Sequence, residues 1–271
     1  MPFVNAGGHR LDYEWIGPGP KDAPTLVFLH EGLGSVAMWR DFPAKVAEAT
    51  GLGALVYSRY GYGKSDVLTE KRKVDYMHGE SFVALPEVLT ELGVRAPILV
   101  GHSDGGSIAI LYGGSVAQRR RGAFGKDGPA PLALITMAAH VFVEQLSVDS
   151  IAAAKVAYET TDLPKRLGRY HDDVDKTFWG WNDIWLLPAF FHWNIEEYLP
   201  TIACPVLAMQ GEDDEYGTIK QVEAIRDQAG GPVTMCMLPK CKHSPHRDQP
   251  AMTVDAMKGF INQVTRKVAA Q

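Results

Sequence analysis

Short, continuously apolar runs separated by glycine-rich loops set the strongest limit on how this chain can fold. They read TLVFL (25–29), ALVY (54–57), PILV (97–100), LALITM (132–137) and CPVLAM (204–209). Each is too short for a helix and apolar at consecutive positions, the mark of a strand buried on both faces. Residues 233–238 read as a further strand, and 11–16 alternate like an early edge strand. Between them, residues 42–49, 81–92, 107–117, 219–229 and 255–268 repeat apolar side chains at helical spacing. Strands alternating with helices imply an α/β fold with a mostly parallel central sheet and helices on both faces.

The pattern breaks at residues 141–198. No apolar strand is visible there, and the segment is rich in aromatic residues, including Trp179, Trp181, Trp185 and Trp193. Residues 150–160 and 162–170 have helical character. The expected organisation is a core in two parts, 1–140 and 199–271, interrupted by a helical cap at 141–198. The tryptophans are expected to divide between the roof of a pocket and the cap's own core.

With 271 residues and 46% hydrophobic content, the chain can bury a substantial core. Its formal net charge of -5 argues against nucleic acid or a membrane surface as partner. The basic run Arg119–Arg120–Arg121 reads as a solvated helix end entering a loop. No secretory leader and no membrane-length apolar stretch is visible. Cys204, Cys236 and Cys241 form no CxxC pair and suit a reducing compartment, so the cytoplasm is the expected location. A small molecule with an apolar portion is the expected partner, with self-association left open.

Several glycine clusters invite a phosphate-binding reading. Gly63-Lys64-Ser65 resembles the tail of a P-loop, but position 58 holds Ser58 rather than the leading glycine. None of the stretches at Gly32, Gly51 or Gly61 completes GxGxxG, so no dinucleotide cofactor is expected. His243 and His246 lie near Cys241 and Asp248, yet no remote ligand pair accompanies them, and no metal is expected.

The sharpest motif is Gly101-His102-Ser103-Asp104-Gly105. It lies between the strand PILV and a helix, the context in which GxSxG presents a nucleophilic serine on a tight turn. Glycines at 101 and 105 relieve crowding around that turn. The alternative is that Ser103 simply caps the helix. A serine nucleophile needs a nearby base, and histidine titrates in the right range. His243 and His246 follow the last strand; His243, nearer the strand end, is the preferred base. An acid must then orient the imidazole. Glu212, Asp213, Asp214 and Glu215 all follow CPVLAM, with Asp214 preferred and Asp213 a second candidate.

With these motifs in view, the chain resembles the α/β-hydrolase superfamily over nearly its whole length. The resemblance rests on LHEGLGSVAMW (29–39), SRYGYGKSD (58–66), GHSDGG (101–106), PVLAMQGEDD (205–214) and KHSPHRDQP (242–250). It implies an α/β-hydrolase fold with an inserted cap, the acid Asp214 and the base His243. It also implies an oxyanion hole formed by the backbone N–H groups of Gly32 and Asp104. His30 and Ser35 fit the family's HGxxxS loop, whereas Glu31 stands where glycine is usual and Lys242 replaces the glycine before His243. A serine nucleophile sets the chain apart from the dehalogenase and epoxide-hydrolase branches, which use aspartate.

The expected function is hydrolysis of a carboxylic ester through an acyl-enzyme. C–C bond hydrolysis of a diketone and amide cleavage are the alternatives with the same triad. Arg59 is a candidate anchor for a substrate carboxylate or enol, with bonding inside the core loops as the equal alternative. Glu31 and Asp104 are expected to turn into hydrogen-bonded networks; facing the pocket, either would disfavour anionic substrates.

Overall fold

The computed structural model describes residues 2–20 and 23–269. Eight strands form one sheet: β1 (Phe3–Ala6), β2 (His9–Ile16), β3 (Thr25–Leu29), β4 (Gly53–Tyr57), β5 (Pro97–His102), β6 (Ala133–Met137), β7 (Val206–Gly211) and β8 (Val233–Leu238). The spatial order is β1-β2-β4-β3-β5-β6-β7-β8. All pairings from β4 to β8 are parallel, whereas β2 pairs antiparallel with both β1 and β4.

This corrects the expectation of an edge strand at 11–16. That strand begins at His9 and lies inside the sheet, and β1 forms the edge. The signal was a two-residue hairpin. Gly7 and Gly8 have φ of 61° and 80° and join Ala6 to its partner His9. A turn with positive φ at both central residues matches the right-handed twist of the flanking strands, and Gly-Gly adopts it without strain.

Eleven α-helical segments are described: α1 (Phe42–Thr50), α2 (Tyr76–Gly79), α3 (Leu85–Glu91), α4 (Asp104–Gly114), α5 (Val116–Arg120), α6 (Gln145–Thr160), α7 (Leu163–Leu167), α8 (Val174–Trp185), α9 (Ile219–Gln228), α10 (Pro245–Asp248) and α11 (Pro250–Ala269). The helix expected at 81–92 starts earlier, at α2, and passes through a π-helical stretch, Glu80–Ala84, into α3. The helix expected at 107–117 starts three residues earlier, directly after Ser103. Arg119 departs from the solvated reading. It is buried, stacks on the Tyr112 ring at 3.8 Å and donates to the Tyr112 carbonyl at 3.1 Å.

Strand alternation divides the core between the two faces of the sheet. Leu26 and Phe28 of β3 face one way, where Phe28 meets Trp39 and Phe42 edge-on. Val27 and Leu29 face the other way, in one continuous apolar cluster with Ile108 and Leu111 of α4. Phe178, Trp181 and Trp185 of α8 belong to that same cluster, so the segment between β6 and β7 shares the core of the sheet.

Helix α8 lay outside the helical segments read from the sequence. Its signals were an N-cap and a spacing. The Asp173 carboxylate accepts the Lys176 N–H at 3.0 Å, and Val174, Phe178, Trp181 and Trp185 recur on one face. Aromatic residues and Gly180 lower intrinsic helix propensity, and burial of the aromatic face overrides it. No helix among the described residues is long and apolar enough to cross a membrane.

The strand order explains where chemistry can sit. From β3 the chain moves one way to β4 and then crosses to the opposite side of β3 for β5. Loops leaving the carboxyl ends of β3 and β5 therefore diverge and open a crevice at this switch point. Leu29 pairs with Gly101, His102 with Met137, and Met137 with Met209. That register brings the loops after β3, β5, β6, β7 and β8 to one edge.

Candidate active site

Ser103 stands on the turn between β5 and α4 with φ of 52° and ψ of -119°. A non-glycine residue there is strained, and close packing holds it. Its N–H donates to the Met137 carbonyl at 2.8 Å, and its own carbonyl accepts from Gly106 and Ser107. A Cβ at Gly101 would overlap the Gly105 carbonyl, and one at Gly105 would overlap the Leu29 carbonyl. Only glycine lets strand, turn and helix approach this closely.

The His243 Nε2 lies 3.0 Å from the Ser103 hydroxyl, and its Nδ1 lies 2.8 Å from Asp214 Oδ1. A carboxylate only accepts, so Nδ1 carries the proton and Nε2 presents its lone pair to the serine O–H. Burial alone would raise the Asp214 pKa. The hydrogen bond and charge of His243, with the Tyr216 N–H at 2.9 Å, overcome it and hold the carboxyl below its ordinary range. The backbone of His243 is also tied. Its N–H donates to Glu215 at 3.2 Å, and its carbonyl accepts from His102 Nε2 at 2.7 Å.

The two alternatives fall elsewhere. The Asp213 N–H binds the Cys241 carbonyl and its side chain is exposed. His246 is buried under the loop, its ring 4.9 Å from Trp39 and 4.8 Å from His102. Burial and the neighbouring His102 push its pKa down to about 3.

Among the described residues, neither the Gly32 N–H nor the Asp104 N–H has a protein acceptor. Both flank Ser103 at the crevice, one in the loop after β3 and one at the first turn of α4. His30 fixes the first of these loops: its Nδ1 donates to the Glu31 carbonyl at 2.7 Å and its Nε2 accepts the Arg59 N–H at 3.0 Å. Burial, then the charge of Arg59, lowers the His30 pKa and keeps the ring neutral.

Asp104 and Glu31 behave differently. The Asp104 side chain is 1% exposed and points into the core, accepting the Tyr76 O–H at 2.7 Å with the Arg59 guanidinium 3.6 Å away. Tyr76 in turn accepts the Trp185 indole N–H at 3.1 Å. Arg59 is buried and donates to the His30 and Glu31 carbonyls. Bonding inside the core loops therefore accounts for Arg59, which does not line the cavity as an anchor would.

Glu31 lines the cavity, departing from the expectation that it turns away. One carboxylate oxygen lies 3.4 Å from His102 Nδ1. Burial would raise its pKa, but the interaction with His102 holds it well below the ordinary carboxylate range.

The cavity over Ser103 has a volume of about 260 Å³. Its walls include Leu33, Ile151, Trp181, Trp185 and Tyr216, with Glu31 and Glu215 as carboxylates and, among the described residues, no lysine or arginine. Trp179 and Trp193 pack instead against Phe178 and Phe190. Sequence reasoning gave no role to His140 or Tyr216, none to His102 behind the base, and to Glu215 only a place among the carboxylates considered for the acid. The available signal was position: His140 closely follows β6, and Glu215 and Tyr216 follow Asp214. Cys204, Cys236 and Cys241 are unpaired.

A family model described as the alpha/beta hydrolase family matches residues 26–256. The chain belongs to that family. This alpha/beta hydrolase is 24% identical over 272 residues to the proline iminopeptidase of Saccharolobus solfataricus, spanning 89% of this chain and 85% of that protein. It is 26% identical over 227 residues to the bifunctional esterase/perhydrolase of Acinetobacter calcoaceticus, spanning 73% of this chain and 76% of the relative. The crystal structure of the enol-lactonase from Burkholderia xenovorans superposes with a TM-score of 0.72 at 17% identity, covering 96% of this chain and all of that one, a likeness of fold.

Proposed function

We propose that this hydrolase cleaves a carboxylic ester through a Ser103 acyl-enzyme. The observation that carries the proposal is the hydrogen-bonded line from Ser103 Oγ through His243 to Asp214, at 3.0 and 2.8 Å. His243 Nε2 takes the serine proton as Oγ attacks the carbonyl carbon. The N–H groups of Gly32 and Asp104 receive the oxyanion, donors aimed at charge that develops only in the transition state. Collapse of the tetrahedral adduct breaks the bond to the alkoxy oxygen, which leaves as alcohol with the proton from His243. Water then gives a proton to His243, attacks the acyl carbon and releases the acid, restoring Ser103. Asp214 stabilises the imidazolium throughout.

In this reading the segment 141–198 is a cap whose helix α8 roofs the cavity. The apolar walls bind the carbon skeleton of a small or medium substrate, and the enzyme works in the cytoplasm. The test is release of nitrophenol from short-chain esters, with loss of turnover and of fluorophosphonate labelling in Ser103→Ala. An absence of both in the wild-type protein overturns the proposal.

Amide cleavage next to a free amine is a second reading, supported by the carboxylates of Glu31 and Glu215 on the cavity wall. Faster release of nitroaniline from amino-acid anilides than of nitrophenol from acyl esters would favour it. C–C hydrolysis loses support because Arg59, its candidate anchor, is committed to the core.

A further inference from the structure

Two of the polar atoms on the cavity wall that lack a protein partner belong to residues adjoining Gly32. The first is the Trp181 indole N–H. The indole lies against the α-carbon of Gly32, where a Cβ would overlap Nε1 and Cδ1. Among the described residues, Nε1 has no acceptor, and it is not sealed from solvent as the indole nitrogens of Trp39 and Trp193 are. The second is Glu31. One of its oxygens faces His102, while the other accepts from no protein group and is not sealed either. The oxyanion N–H of Gly32 is thus flanked by one free donor and one free acceptor.

The side of the cavity follows from His243. The leaving group must lie against His243 Nε2 to receive its proton. Rings packed on His243 are His102, His140 and Tyr216, and Trp181 is not among them. Trp181 lies against Gly32 instead, and Glu31 directly precedes Gly32, which assigns both to the acyl half of the substrate, beside its carbonyl oxygen. A group that satisfies both must accept one hydrogen bond and donate another without negative charge, since the Glu31 carboxylate repels an anion. A hydroxyl does this. Next to the scissile carbonyl, it stays within reach of both partners while the carbonyl oxygen sits at Gly32.

We propose that the site is selective for 2-hydroxyacyl esters, with Trp181 donating to the substrate hydroxyl oxygen and Glu31 accepting its proton. The inference rests on the ester reading of the Ser103 site.

Ethyl lactate and ethyl isobutyrate differ by a hydroxyl in place of a methyl group, and acid release in a pH-stat gives kcat/KM for each. The intrinsic reactivity difference between the two esters is common to all enzyme variants and cancels in the comparison. The lactate-to-isobutyrate ratio is expected to fall about fivefold in Trp181→Phe and about tenfold in Glu31→Gln, the larger loss belonging to the charged acceptor. A purely packing role would lower both esters together and leave the ratio unchanged in each variant, overturning the proposal while the ester reading stands. Turnover of neither ester by wild-type protein whose Ser103 also fails to label overturns both.

Discussion

Replacing Arg59 by methionine tests the polar core beneath the nucleophile. Arg59 and Asp104 are 3.6 Å apart with side chains 2% and 1% exposed. At an effective dielectric constant of about 20, their attraction is about 4–5 kcal/mol before desolvation is counted. Removing the cation leaves a buried carboxylate whose Oδ1 already lacks a partner and whose Oδ2 keeps only Tyr76. It also strips a donor from the His30 and Glu31 carbonyls. Breaking one side of a buried pair costs about 3–5 kcal/mol, so the expected loss is of that size. At about 2–4 °C per kcal/mol for a chain this long, the melting temperature falls by roughly 6–20 °C. Arg59→Met with Asp104→Asn removes the orphaned charge and should recover about 2 kcal/mol. Urea and thermal unfolding of both single variants and the double variant give the coupling directly. At a temperature where all are folded, KM for a carboxylate-bearing ester should be the same in Arg59→Met as in the wild type. Stability within about 0.5 kcal/mol of wild type, or a KM rise confined to carboxylate-bearing esters, would refute the assignment of Arg59 to the core.

Three further outcomes follow from the site. Asp214→Asn should lower kcat by about 10³–10⁴-fold by reversing the His243 tautomer, while Asp213→Asn stays close to wild type; steady-state turnover of a nitrophenyl ester separates them. Ser103→Gly should abolish turnover yet raise stability by about 1 kcal/mol, since glycine accepts φ of 52° without strain; thermal unfolding reads the gain. His246 titrates near 3 when folded and near 6.5 when unfolded. The unfolded chain therefore binds more protons between those values, and the contribution is full above about pH 6.5 and lost as pH falls, by about 2 kcal/mol between pH 7 and 5. Urea midpoints across that range should fall more gently in His246→Leu, and an unchanged slope would contradict a neutral buried ring.

The sequence by itself determined the class of fold and the chemical line of the site. Doubly buried parallel strands must be continuously apolar, so β3 to β7 were visible as runs. A nucleophile turn needs glycines around one serine; the order of residues along the chain put its base at His243 or His246 and its acid among the carboxylates after CPVLAM, and the family resemblance favoured His243 and Asp214. These features are local, or are tied to the ends of strands.

What the sequence left undecided depends on where side chains point across long separations. The edge strand β1 is four residues with a polar alternate and became a strand only by pairing with β2. Helix α8 has weak propensity and exists because its aromatic face is buried. Asp213 and Asp214 are neighbours in the chain, and only the path of the loop turned one to His243 and the other to solvent. Glu31 and Asp104 looked alike as unusual acids beside the oxyanion loop. Packing gave Asp104 the Tyr76 hydroxyl and the Arg59 charge, while Glu31, adjacent to Gly32, set one oxygen toward His102 and left the other without a protein partner. That distinction is set by partners that lie about thirty to seventy residues from each acid in the chain, the distances separating Asp104 from Tyr76 and Glu31 from His102, and no short-range pattern encodes it.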